Sequence, residues 1–322
     1  MRILGTGSAH PKLTVTNQML EQQLDTSDEW IVTRTGIRRR QIISSEHLDE
    51  LAATACRRAL DNAGLHASDI DYIICSNVIN EYVSPGLSCL INEQIEASCP
   101  CVDLNGACTG FIYALDVADS ILKSRKNVRN ILICCAEEPT RMVDWNQRNT
   151  CVLFGDGAGA VVVSDGDDLM AISLSTQSKH EALYQKNALM NTPFLTEPGI
   201  GTPLTMHGQD VFKMAVSSSY QDIQHVLEET GMTKDEVDFY LLHQANIRII
   251  NHIREQMNLA DEKFPVNLDK YGNTSSASIP MLLDELNQDH RLKSGDILVF
   301  SAFGAGFTTG ACMIRWSKSN VA

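Results

Sequence analysis

Four short segments of the chain, 72–75, 131–135, 239–242 and 297–300, are apolar at every position rather than at alternate ones. Strands buried on both faces have this pattern, whereas a half-exposed strand alternates. Between them the apolar residues recur at helical spacing, over 51–63, 109–124 and 281–287. The stretch 109–124 carries Phe111, Leu115, Ala118 and Leu122 on one face and is followed by Arg125 and Lys126, with Lys123 in its last turn, as the helix dipole favours. The pattern predicts an α/β chain with sheets sandwiched between helix layers.

The elements also repeat. Gly64-Leu-His-Ala-Ser-Asp-Ile-Asp71-Tyr-Ile-Ile-Cys75 aligns with Gly231-Met-Thr-Lys-Asp-Glu-Val-Asp238-Phe-Tyr-Leu-Leu242 at a shift of 167. Ile131-Leu-Ile-Cys-Cys-Ala136 matches Ile297-Leu-Val-Phe-Ser-Ala302 at a shift of 166. Gly159-Ala-Val-Val-Val163 resembles Gly310-Ala-Cys-Met-Ile314 once a loop of about 15 residues in the first half is discounted. Three matches in one order predict two duplicated α/β halves, 1–166 and 167–322, packed together.

Composition narrows the function. With 322 residues, 43% hydrophobic and 20% charged, the chain is neither disordered, collagen-like nor coiled coil. Its net charge of −14 argues against a nonspecific grip on nucleic acid or an anionic bilayer, so any basic patch must be local. No run of 18 apolar residues occurs, and Met1 to Pro11 lacks the pattern of a secretory signal, so a soluble, cytoplasmic protein is expected. The ten cysteines show neither zinc-ribbon nor zinc-finger spacing; nine of them are expected to be buried free thiols, and no metal is expected.

The tenth is Cys108, where the turn Asn105-Gly-Ala-Cys108-Thr-Gly enters the 109–124 helix. Unpaired N–H groups and partial positive charge at a helix N-terminus stabilise a thiolate, which makes Cys108 the candidate nucleophile. His243 follows the repeated strand 239–242, at the carboxyl edge where α/β proteins place ligands. Asn273, in Gly272-Asn273-Thr-Ser-Ser276, precedes an apolar helix at about the place that the Cys108 turn holds in the first half. Separately these could be a core thiol, a core histidine and a helix N-cap; pseudo-twofold packing would bring them together. Gly5-Thr-Gly7 does not complete a dinucleotide fingerprint, and no P-loop lysine occurs. Phe154-Gly-Asp-Gly-Ala-Gly159 is expected to let a loop pack closely before a strand, and Phe303-Gly-Ala-Gly306 to aim backbone N–H groups into the site.

Taken in order, Asp25-Thr-Ser-Asp-Glu-Trp30-Ile-Val-Thr-Arg34-Thr-Gly-Ile-Arg38, Gly-Ala-Cys108-Thr-Gly-Phe, Phe154-Gly-Asp-Gly-Ala-Gly159, Gly208-Gln-Asp-Val-Phe212-Lys213, His243-Gln-Ala-Asn246 and Gly272-Asn273-Thr-Ser resemble the β-ketoacyl-acyl carrier protein synthase III family of the thiolase superfamily. The resemblance covers nearly the whole chain. It implies a five-layered αβαβα fold of duplicated halves, assembled as a homodimer. It also implies a ping-pong acyltransferase that begins fatty-acid synthesis. Cys108 would take an acyl group from a short acyl-CoA such as acetyl-CoA. Malonyl-acyl carrier protein would then lose CO₂, with His243 and Asn273 hydrogen-bonding its thioester oxygen, and attack the acyl-Cys108. The N–H groups of Cys108 and Ala305 would form the oxyanion hole. Trp30 and Arg148 would sandwich the adenine; Arg34, Gly208, Phe212 and Asn246 would line the pantetheine tunnel; Lys213 and Arg248 would contact the carrier protein. No cofactor is implied, acyl-CoA being a substrate.

The chain departs from the family at Gly304-Ala305-Gly306, where three glycines are usual, and along Val78 to Pro85, which bears on the choice of primer. Ala305 would resist a positive φ. A synthase III-like enzyme of polyketide-type metabolism, with a different acyl donor, is the nearest alternative. Thiolases and elongating synthases carry a second Cys or His where this chain has Asn273, and the papain-like context around a catalytic Cys is missing. An intact triad disfavours a non-catalytic binding protein.

Overall fold

In the computed structural model, which describes residues 1–197 and 199–318, the four apolar segments lie inside two sheets. The first sheet runs Arg2–Ala9, Gly157–Ser164, Asn130–Glu137, Tyr72–Ser76, Cys101–Leu104 in spatial order. The second runs Leu169–Thr176, Thr308–Arg315, Ile297–Gly304, Phe239–Leu242. Strand for strand the orders match, except that among the described residues the second sheet has no counterpart to Cys101–Leu104. That strand is the margin of the first sheet, and it leads within a few residues to the Cys108 turn.

Register refines the repeat. Tyr72 pairs in parallel with Ile131, and Phe239 with Leu298, so the structural repeat holds at a shift of 167 in both strands. Aligning Ile131 with Ile297, as the sequence suggests, is therefore one residue out. The slip is easily made because every position in these strands is apolar, yet it exchanges the two faces. Ile131 and Leu298 face the core between the sheets, whereas Ile297 belongs to the outer core. Gly159 opposite Cys135 and Gly310 opposite Ala302 occupy equivalent places, as the third match anticipated.

Alternate residues of each strand point into different layers. Ile131, Ile133, Phe300 and Ala302 pack with Phe111, Leu115, Leu282 and Leu286 of the two central helices, Gly110–Ser124 and Ser278–Gln288. Leu132, Cys134 and Ala160 face the helix Leu48–Ala63, and Val299 and Met313 the long helix Gly208–Thr230. The result is helix, sheet, helix, sheet, helix, the five layers expected. Six of the nine cysteines expected in the core are buried; Cys89 is exposed, and Cys99 and Cys101 are partly exposed beside the marginal strand. Short apolar runs place a thiol in an element but not on the buried side of it.

The central layer is the most fully enclosed. Phe300 is wholly buried, with its ring centroid 5.8 Å from that of Phe111 on the helix Gly110–Ser124. Replacing Phe300 by Ala should cost about 3–5 kcal/mol. Denaturant unfolding of the variant checks this; a midpoint unchanged from the parent would show that this contact does not join the layers.

Candidate active site

Cys108 lies in a single turn, Ala107–Thr109, that precedes the helix Gly110–Ser124. Ala107 is held at φ 49°, a left-handed conformation that costs a non-glycine residue of order 1–3 kcal/mol and is concentrated at functional sites. The second half repeats the device: Ser275 has φ 53° and opens the turn Ser275–Ala277 before the helix Ser278–Gln288. The turns face one another, and Cys108 Sγ donates to Ser275 Oγ at 3.5 Å. Burial pushes the Cys108 thiol up to about 12, outweighing its hydrogen bond with Ser275. The expected helix-terminal thiolate is thus overruled by desolvation, which favours the neutral thiol.

His243 follows directly on Phe239–Leu242, its N–H donating to Ser301 O at 2.8 Å. Its Nδ1 lies 2.7 Å from Ser278 Oγ, which also accepts the Gln244 N–H at 3.4 Å. We assign Ser278 as the donor to Nδ1, which places the imidazole proton on Nε2. Burial pushes His243 down to about 3, so the ring is a neutral donor. Asn273 is not a helix N-cap. Its Oδ1 accepts the Ser275 N–H at 2.8 Å, which leaves its amide NH₂ free to donate. Its backbone bridges to Leu153 and Gly155, and a Cβ on Gly155 would come 2.1 Å from Tyr271 O. The Phe154–Gly159 glycine cluster therefore serves close packing, and what it packs is the Asn273 strand segment.

Cys108, His243 and Asn273 share a cavity of about 290 Å³ with Ala305, Ser275 and Phe303. Gly304 passes so near the Cys108 turn that a Cβ there would lie 2.8 Å from Cys108 N. Of Gly304, Ala305 and Gly306 only Gly306 has a positive φ, so alanine fits at 305 without strain. Outward, the cavity is lined by Arg34, Trp30, Gly208, Phe212, Asn246 and Arg248. Trp30 is carried by the helix Asp28–Thr35, whose N-cap Ser27 accepts the Trp30 N–H at 3.1 Å. The Arg148 guanidinium rests 4.9 Å from the Trp30 ring centroid, and that of Arg34 at 4.6 Å. Asn246 caps the helix Ile247–Met257 by accepting the Arg248 N–H at 2.9 Å. Arg248 lies 5.8 Å from the Phe212 ring centroid. Arg148 and Lys213 do not line the cavity; Lys213 is on the exposed side of its helix.

Comparison with known proteins fits this geometry. The model of "3-oxoacyl-[acyl-carrier-protein] synthase III" matches residues 102–179, and that of the C-terminal part of the same family matches 227–316. A β-ketoacyl-[acyl-carrier-protein] synthase III of Aquifex aeolicus is 42% identical over 98% of this chain and 99% of its own length. The chain belongs to the 3-oxoacyl-[acyl-carrier-protein] synthase III family. A crystal structure of the synthase III from Aquifex aeolicus superposes with a TM-score of 0.91, at 41% identity and with 98% and 99% of the two chains covered. The priming β-ketosynthase of the R1128 polyketide pathway also superposes at 0.91, covering 98% and 96%, but at 31% identity.

For a chain of the synthase III family the sequence left three polar side chains unremarked: Ser275, Ser278 and Glu137. Ser275 opens the turn 275–277 that answers 107–109 in the first half, and laying the two turns side by side could have found it. Glu137 ends an apolar strand and bears no motif, so only its partners disclose it. One consequence of burial can be measured at once. His243 should remain neutral down to about pH 4, as ¹⁵N NMR of the imidazole would show. Because an unfolded histidine titrates near 6.5, the unfolded chain binds a proton that the folded chain refuses between that pH and about 3. Stability should fall with decreasing pH across this window, and His243→Asn should remove that part of the slope. An imidazole titrating near 6.5 in the folded protein would contradict the assignment.

Proposed function

We propose that this chain is the acyltransferase that begins fatty-acid synthesis, condensing a short acyl-CoA with malonyl-acyl carrier protein through an acyl-Cys108 intermediate. The observation that carries this is the convergence of Cys108, His243 and Asn273 in the lining of one cavity. Cys108 Sγ attacks the acyl thioester, and CoA leaves. In the second half-reaction the Nε2–H of His243 and the amide NH₂ of Asn273 donate to the malonyl thioester oxygen, where negative charge develops as CO₂ departs. The enolate then attacks the acyl carbonyl, whose oxygen is met by the N–H groups of Cys108 and Ala305. Donors so aimed are worth about 3–4 kcal/mol each. Each step is nucleophilic or decarboxylative, so the reaction requires no resident cofactor or metal.

The outer residues supply recognition. Trp30 and Arg148 sandwich the adenine, for which their present contact has to open, and Arg34, Gly208, Phe212 and Asn246 line the path of the pantetheine. Arg248 beside Phe212, with Lys213 outside, meets the acidic carrier protein, a local basic contact on a chain of net charge −14. The chain acts as a homodimer, and the unpaired margin of Cys101–Leu104 supports this. Val102 on that strand is 40% exposed, and Val83, just before the helix Leu87–Gln94, is 98% exposed. Antiparallel pairing of two such margins gives a closed twofold contact. The matched strand orders support a division into halves 1–166 and 167–322. We place the protein in the cytoplasm; among the described residues no helix is long and apolar enough to cross a membrane. A polyketide-type priming role is the second reading, disfavoured by 31% identity to the R1128 enzyme against 42% to the Aquifex aeolicus synthase.

Intact-mass measurement after mixing with acetyl-CoA, and with a panel of straight, branched and aromatic acyl-CoAs, should show one added acyl group, lost in Cys108→Ala. No added mass from any of them would sink the enzyme reading. His243→Ala and Asn273→Ala should suppress malonyl decarboxylation far more than self-acylation; equal losses would contradict the assigned roles. Arg248→Glu should raise KM for the malonyl-carrier protein at least tenfold while sparing acylation from acyl-CoA, and an unchanged KM would remove Arg248 from the carrier contact.

A further inference from the structure

The Cys108 thiol has one hydrogen-bond partner among the described residues, and it is not the histidine. Sγ–H donates to Ser275 Oγ at 3.5 Å, and Ser275 O–H donates in turn to Glu137 Oε1 at 3.2 Å. His243 is engaged instead with Ser278. We propose that Ser275 and Glu137 form a proton relay for the nucleophile, Ser275 passing the Cys108 proton to the Glu137 carboxylate as the acyl–sulfur bond forms. This rests on the reading of Cys108 as the nucleophile and supplies what a buried thiol lacks, a base.

The carboxylate is built into place. Glu137 ends the strand Asn130–Glu137 and is 1% exposed. Ser276 O–H donates to its Oε1 at 2.5 Å, the Val78 N–H donates to its Oε2 at 3.1 Å, and Ser76 O–H donates to Ser276 Oγ at 3.0 Å. No Lys, Arg or His forms an ion pair with it among the described residues. The titratable groups that bear on it are Cys108 on the facing turn and Cys135 on its own strand, both thiols. From Tyr72–Ser76 and Ser275–Ala277 it meets hydroxyls. Burial outweighs these hydrogen bonds and raises its carboxyl to about 7, where a group both accepts a proton and returns it. His243, pushed down to about 3, is a poor competitor for the same proton.

The step balances. Sγ–C forms and the thioester C–S bond breaks, CoA leaving as thiolate. The thiol proton moves to Ser275 Oγ while the Ser275 proton moves to Glu137, now a neutral acid. After condensation Cys108 is expelled as thiolate, and the proton returns from Glu137 through Ser275.

Two measurements test the relay on the full-length protein. In the first, the rate of acyl transfer from acetyl-CoA is followed by mass against pH. In the second, alkylation of Cys108 by iodoacetamide is followed by peptide mass against pH, with no acyl donor present. The parent should show in both a rise that levels near pH 7, as Glu137 ionises. Ser275→Ala, which leaves the Ser276 and Val78 bonds to Glu137 intact, and Glu137→Gln should each slow acyl transfer about a hundredfold or more. Both should abolish the levelling, and the double variant should be no slower than either single one. The decarboxylation step, measured on enzyme acylated beforehand, should be spared. A levelling near pH 7 that persists in Ser275→Ala, or single losses that multiply in the double variant, would overturn the relay. The alkylation arm reads the relay whatever the acyl donor does, so a parent that alkylates as described but never gains acyl mass refutes the proposed activity and leaves the relay standing.

Discussion

The two central helices lie between two sheets, and that confinement dictates how each can begin. Gly110–Ser124 and Ser278–Gln288 both start where a sheet ends, with their first turns against one another and away from water. A chain arriving there must reverse sharply within a turn, and both halves do so with a left-handed residue, Ala107 in one and Ser275 in the other. Polar groups left at such a junction have to satisfy each other. Ser76 and Glu137 from the first half meet Ser275 and Ser276 from the second, so the network that closes the junction also carries the hydrogen-bond partner that Cys108 has among the described residues.

Burial is the dominant electrostatic fact in this junction. It lifts the Cys108 thiol and the Glu137 carboxyl and lowers His243, so that each of the three rests closer to its neutral form than it would in water. Sequence reasoning gave the helix terminus priority at Cys108 because the terminus is visible in the chain order. The depth of the turn is not, since it depends on residues 167 positions away.

What the sequence disclosed follows the same division. Strands apolar on both faces announced themselves, and so did the Cys, His and Asn at their ends, because strand ends are where α/β folds gather chemistry. The repeat was legible but its register was not: in a run such as Ile297 to Phe300 neighbouring residues are interchangeable to the eye, and only pairing with Phe239 to Leu242 fixes which of them faces the centre. Ser278 and Glu137 escaped because a buried hydroxyl or carboxyl has no period; its meaning lies wholly in its partners. Ala305 was expected to resist its loop and does not, since the positive φ falls one residue later, at Gly306.

The missing fifth strand of the second sheet sets the halves apart. Among the described residues the second half has no counterpart to Cys101–Leu104, and that strand runs almost directly into the turn bearing Cys108. That strand is held along one edge by Tyr72–Ser76 and is open along the other. If a second copy of the chain pairs along this margin, the position of a reacting sulfur becomes a quantity governed by mass action, and dilution alone loosens the chemistry without altering a single residue.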